Sequence, residues 1–272
     1  MNPHRVIGGD FYVKSRLWDN QCGKMTARGE IMQKIVLNIP HAGTEIPLWA
    51  ARDMMLPQEE LTSLVDFITD KDVDKLWAFV GEENKQVAAV SRIVVDTERY
   101  RNDTDEPMAA KGMGLYYTHT PDGKPFRLRT EDSYRRSLAL YDAHHAALEE
   151  KVAACLAKHG ACLLLDCHSF HDRMTYTGYD PATFPDVCIG VNGAVMPEAQ
   201  RIIEAFRAAG YTVKVNEPFS GSLVPLQYWD DPRVHSVMIE LNRRIYDNED
   251  FHKVQKLCQE IYETLCAPSC IG

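Results

Sequence analysis

Four short stretches of this sequence end in side chains that can bind a metal ion or move a proton. "IVLNIPHAGTE" runs from an apolar, β-branched strand into His41 and then Glu45. "DTERYRND" carries Asp96, Glu98, Arg99, Arg101 and Asp103. "LLLDCHSFHD" presents Asp166, His168, His171 and Asp172, and "IELNRRIY" presents Glu240, Asn242 and Arg243. In open α/β sheets, ligands bind beyond the carboxyl ends of the strands. Imidazoles, carboxylates and arginines at four such ends therefore point to one site at one edge of the predicted sheet.

Each residue alone has a plainer explanation. A single histidine after a strand is more often hydrogen-bonded structure than a ligand, and Arg99 with Arg101 alone reads as a solvated loop. Two histidines ending two strands are harder to set aside. Glu240 lies among Met238, Ile239 and Leu241, which implies burial, and a buried carboxylate needs a partner, a metal or a raised pKa. Cys167 beside His168 resembles a nucleophile–base pair, but neighbouring strand residues point to opposite faces. His144 and His145 in "YDAHHAAL" belong to a helix and read as structural residues or, at most, as groups that support a site residue from behind.

The elements that must position these groups alternate along the chain. Strands are predicted over 34–39, 88–96, 161–167, 186–192, 211–216 and 236–242, and helices over 57–80, 131–158, 195–209 and 249–266. Pro57 with Glu59 and Glu60 suits a first helical turn, and Gly160 and Gly210 suit the positions just after helices. Strands apolar on both faces and separated by helices imply a mixed, mostly parallel sheet covered on both sides. This makes an α/β protein of one domain over 32–272, preceded by an N-terminal extension over 1–31. The long segments at 100–130 and 217–235 are expected to serve the site.

Composition narrows the class further. A formal charge of −9 disfavours a nucleic-acid partner, which normally needs a basic face. It also means that an anionic substrate must be held by local arginines. No apolar run reaches the roughly 18–20 residues of a membrane span, and the start is too polar for a signal peptide. The eight cysteines include no CxxC pair and read as reduced thiols of a cytoplasmic protein.

Taken together, "IPHAGTEIP", "TDKDVDKL", "DTERYRND", "LLLDCHSF", "NEPFSGS" and "IELNRRIY" resemble the N-formylglutamate amidohydrolase family over about residues 34–250. The resemblance implies a phosphorylase/hydrolase-like fold similar to zinc carboxypeptidases and aspartoacylase-like deacylases. It also implies zinc-dependent hydrolysis of an N-acyl acidic amino acid, N-formyl-L-glutamate giving formate and glutamate. Such enzymes hold zinc (Zn2+) with two histidines and one carboxylate and keep a glutamate as general base.

Carried onto this chain, the resemblance makes His41 and His168 the nitrogen ligands and Asp70 the acid, with Glu45 and Asp72 as further candidates. Three protein ligands leave a fourth zinc position open, as hydrolysis requires. Glu240 becomes the general base, and Asp166, on the same strand face as His168, an acceptor that orients it. Arg99 takes the substrate carboxylate, for which a bidentate guanidinium is the best match, with Arg101 and Arg243 as further candidates. Glu98 departs from the family pattern, where asparagine is expected before this arginine, so a less acidic substrate is also open. Other readings are an amidase on another N-acyl amino acid or small peptide, or a non-catalytic binding protein on the same fold.

Overall fold

The computed structural model describes residues 34–174, 177–247 and 249–267; the extension expected over 1–31 lies outside them. Its centre is a six-stranded sheet of β1 (Ile35–Ile39), β2 (Lys85–Val87), β3 (Cys162–Phe170), β4 (Val187–Val191), β5 (Val213–Val215) and β6 (Val234–Asn242). The strand order is β2-β1-β3-β6-β4-β5. Neighbours pair in parallel except β4 and β6, which are antiparallel. The mixed, mostly parallel sheet expected from the apolar strands is therefore present.

The helices are α1 (Leu48–Ala51), α2 (Gln58–Ile68), α3 (Val73–Leu76), α4 (Glu131–His159), α5 (Pro197–Ala208) and α6 (Phe251–Cys266). Thr130 caps α4 by accepting from Ser133 N, and Gly160 ends it in the left-handed conformation that glycine adopts without strain. One sheet face, with Leu37, Leu165, Val237 and Ile239, packs against α3, α5 and α6. On the other, Val36, Leu164, Cys162 and Val234 meet Leu148, Val152 and Leu156 of α4. Alternation along the strands then puts Asn38, Asp166, His168 and Glu240 on this second face. The face is apolar where the strands begin and polar where they end. All four polar residues are buried.

Two expected elements are corrected. Residues 88–96 are not a strand; only Lys85–Val87 just before them pair with β1. The carbonyls that a sheet neighbour would engage are taken otherwise: Arg127 Nη1 donates to Ile93 O and Val94 O, each at 2.9 Å, and Ser137 Oγ donates to Val94 O. The β-branched run instead fills a second apolar cluster with Leu64, Ile68, Leu115 and Phe126. The helix expected over 57–80 breaks between α2 and α3. There Asp70 N donates to His41 O at 3.0 Å, and Asp72 takes a φ of 61°. The break bends the chain so that Asp70 comes under His41.

Candidate active site

Backbone placement comes first. β3 and β6 run in parallel with His168 directly opposite Glu240, and β1 and β3 place Asn38 beside Asp166. His41 follows β1 after Pro40, and the break before α3 supplies Asp70. His41, Asp70 and His168 are all buried, and one ligand atom of each lies within 4.8 Å of the others. The imidazole centroids are 5.0 Å apart. Asp70 Oδ2 is 3.5 Å from His41 Nδ1 and 3.1 Å from His168 Nδ1.

The outer nitrogens of both rings are held by carboxylates. His41 Nε2 meets Asp96 Oδ1 at 2.8 Å, and His168 Nε2 meets Asp166 Oδ1 at 3.1 Å. A carboxylate only accepts, so each Nε2 carries its hydrogen, and a ring that is also protonated on Nδ1 donates that second hydrogen to Asp70. Both Nδ1 atoms thus face Asp70, and each would be free to ligate a cation once its hydrogen is given up. Two imidazole nitrogens and a carboxylate oxygen converging in this way form a group that could hold a metal ion, each imidazole backed by an acid.

Electrostatics match the geometry. Burial raises the Asp70 carboxyl, but hydrogen bonds and charge from His168 and His41 outweigh it and hold the group well below the usual carboxylate range. His168 is driven down by burial yet ends well above its ordinary value through Asp166, Asp70 and Glu240. Glu240 is pushed up to about 8, chiefly by burial, with Asp70 adding to this and His168 opposing it. Its Oε2 is buried, and no hydrogen-bond partner reaches it among the described residues. A carboxyl poised in this range beside histidines can exchange a proton near neutral pH.

Asp96 is the hub of the other wall. Its Oδ1 also accepts from Glu98 N at 3.0 Å. Its Oδ2 accepts from Tyr117 Oη at 2.7 Å and from Arg92 Nη2 at 2.7 Å. Arg99 lies against it, with Nε 3.4 Å from Asp96 Oδ2 and Nη1 4.0 Å from Glu106 Oε1. Yet Arg99 Nε forms no well-shaped hydrogen bond among the described residues, so this buried donor is held to Asp96 by charge alone. Glu98 turns inward, its Oε1 accepting from Asn38 Nδ2 at 2.8 Å. Burial, followed by the neighbouring Asp166, pushes its carboxyl well above the usual range.

Other candidates lie elsewhere. Arg101 is at the surface in a two-pronged ion pair with Asp142 of α4. Arg243 is buried but donates to Asp66 O at 3.0 Å and pairs with Asp247. Glu45 is exposed, and Asp72 caps α3 and pairs with Lys75 at 2.5 Å. His171 donates to Phe67 O. Cys167 faces the opposite apolar core from His168, as strand alternation requires. Sequence reasoning missed Asn38, Arg92 and Tyr117. Asn38 interrupts "IVLNI" on the same face as Asp166, and Arg92 lies four residues before Asp96, so both left a trace; Tyr117 arrives from a long irregular segment and left none.

Fold and site together define an α/β protein with a buried histidine–carboxylate centre at the carboxyl edge of its sheet. The N-formylglutamate amidohydrolase family model matches residues 33–247, and the chain belongs to that family. Membership brings amidohydrolase chemistry on a small molecule. Among solved structures, the chain is similar to N-formylglutamate amidohydrolase from Ralstonia eutropha JMP134, with a TM-score of 0.75 at 22% identity, covering 87% of this chain and 94% of that one. It is also similar to a gene product of Agrobacterium tumefaciens, with a TM-score of 0.63 at 18% identity, covering 86% and 90%. No curated protein matches the chain. No helix among the described residues is long and apolar enough to cross a membrane.

Proposed function

We propose that this chain hydrolyses the amide bond of an N-acyl acidic amino acid, N-formyl-L-glutamate above all, with one zinc ion held by His41, Asp70 and His168. The observation that carries this reading is the three-residue donor set within 4.8 Å, with Glu240 directly across the strand pair from His168. A divalent cation at this place supplies Lewis-acid stabilisation of the amide oxygen and of the attacking water. The chain's own residues do the rest. Glu240 takes the proton from the water and returns it to the leaving amine, a role that suits a buried carboxyl near 8. Asp96 and Asp166 hold the two imidazoles in one orientation. Arg99, whose Nε lies against Asp96 without a hydrogen bond among the described residues, binds a substrate carboxylate through a planar fork that a lysine lacks.

Glu98 weakens the objection that an acid here repels an acidic substrate, because its carboxyl accepts from Asn38 and is driven toward the neutral form. The cysteines resolved among the described residues are all free, which supports work in a reducing cytoplasm. Metal analysis of the purified protein, combined with formate release from N-formylglutamate, tests the reading. One zinc per chain with turnover supports it. A faster reaction on N-acetyl or N-succinyl amino acids moves the substrate but keeps the chemistry, whereas protein that is inert on all of them leaves a binding function.

A further inference from the structure

We propose that Asn38, held in one orientation by His144, is a positioning residue for the metal centre: its amide ties Glu98 to Asp166 and thereby keeps Asp166 on His168 Nε2. This inference rests on the metal reading above.

Asn38 lies in β1 in register with Asp166, so the two side chains stand side by side on the site face. Its Nδ2 donates to Glu98 Oε1 at 2.8 Å and to Asp166 Oδ1 at 2.9 Å. Its Oδ1 accepts from His144 Nε2 at 2.9 Å. The two ends of a carboxamide are chemically different, and only the nitrogen end can satisfy two carboxyl oxygens. That fixes the oxygen end toward α4 and requires His144 to carry its hydrogen on Nε2. Burial lowers His144 to about 3, so it is a neutral imidazole with one hydrogen to give. Asn38 is fully buried. No bulk water stands ready to replace it.

Asp166 is thus held at three points: Leu223 N on Oδ2 at 3.0 Å, and Asn38 and His168 on Oδ1. Without the amide, Glu98 and Asp166 would face each other with no fixed donor between them, and Asp166 Oδ1 would lose one of the contacts that hold it on His168. The imidazole would then lose the acceptor that fixes its hydrogen on Nε2 and its lone pair on Nδ1. Groups that orient a metal-binding histidine in this way typically alter metal affinity by about 10–100-fold. The chain of contacts extends that influence from β3 through β1 to α4, well outside the ligands themselves.

Zinc affinity, measured by chelator competition on purified, folded protein, tests this. Asn38→Asp keeps the shape but replaces the donor with a third acid, and is expected to bind zinc about 10–100-fold more weakly than wild type. His144→Leu, which leaves β1 unchanged in sequence, should also weaken binding. His144→Gln should restore it, because glutamine Nε2 can donate from nearly the same place as imidazole Nε2. Wild-type affinity in folded Asn38→Asp, or equal affinities in His144→Leu and His144→Gln, would overturn the proposal. So would a second zinc equivalent lost in Glu98→Gln, since Glu98, Asp166 and His168 would then be ligands rather than a held pair. Failure of the metal reading itself is separately visible as a wild-type protein that binds no zinc, which also removes this inference.

Discussion

Glu240 and Arg99 are the two side chains whose environments ask most of them. Glu240 is buried opposite His168, with one oxygen that no described residue satisfies. Glu240→Gln preserves size but cannot accept a proton. Metal content should stay near wild type while kcat falls by roughly 10²–10⁴-fold, the usual contribution of a positioned acid–base group. If zinc content falls together with turnover, Glu240 is a ligand instead. Arg99 Nε lies 3.4 Å from Asp96 Oδ2 with no hydrogen bond among the described residues. Arg99→Lys retains the charge but loses the planar fork, so KM on the best N-acyl substrate should rise well above wild type, by about tenfold. An unchanged kcat/KM would make Arg99 a structural partner of Asp96. Both experiments read one atom group at a time, which is the scale at which these roles are decided.

The break between α2 and α3 and the irregular path of residues 88–96 both serve the site. Each looks like regular structure in the sequence, because an apolar, β-branched run is the common signature of strands and of buried turns. Arg127 makes the difference. It is buried, its guanidinium stacks 3.7 Å from the Tyr116 ring centroid, and it takes the carbonyls of Ile93 and Val94 together with Ser133 Oγ. These bonds hold the segment that delivers Arg92 and Asp96. Arg127→Leu would leave the Ile93 carbonyl without this donor while Val94 O keeps Ser137, and an unsatisfied buried group costs about 1–3 kcal/mol. The variant should lose about 1–3 kcal/mol of unfolding free energy in urea. Its zinc affinity should fall as well, because Asp96 holds His41. A variant as stable as wild type would mean that water replaces the guanidinium.

Across the whole molecule, the site draws on groups with opposed responses to acid. Burial pushes His144 down to about 3. Between its ordinary value of 6.5 and that level, the unfolded chain binds a proton that the folded chain does not. The stability this represents is intact above about 6.5 and declines as the pH falls through the window. His168 acts the other way, since Asp166 and Asp70 raise it above its ordinary value and its share is lost as pH rises. Comparing one variant with wild type isolates a single group. His144→Gln in metal-free protein should lose less stability than wild type between pH 7.5 and 5, by about 2 kcal/mol at most. Parallel curves in urea denaturation at the two pH values would show that His144 takes up its proton without unfolding.

Much of this protein can be read from its residues in order. Alternating apolar strands and helices identify a mostly parallel α/β sheet, and strand-end chemistry picks out His41, Asp166, His168 and Glu240, because side-chain period and burial are local properties of a strand. The opposite facing of Cys167 and His168 follows from the same period. The resemblance put Asp70 and Arg99 first among the acids and arginines, and tertiary structure shows the packing that brings them, and not their alternatives, into the shared space. Asp70 rather than Glu45 or Asp72 meets the histidines because a helix breaks beneath His41. Arg99 stays against Asp96 while Arg101, two residues on, pairs with α4 at the surface. Arg92, Tyr117 and Asn38 complete the site through contacts spanning from four to more than a hundred residues. Spacing along a chain reveals which face a side chain occupies, but distances between segments are set only when their cores pack.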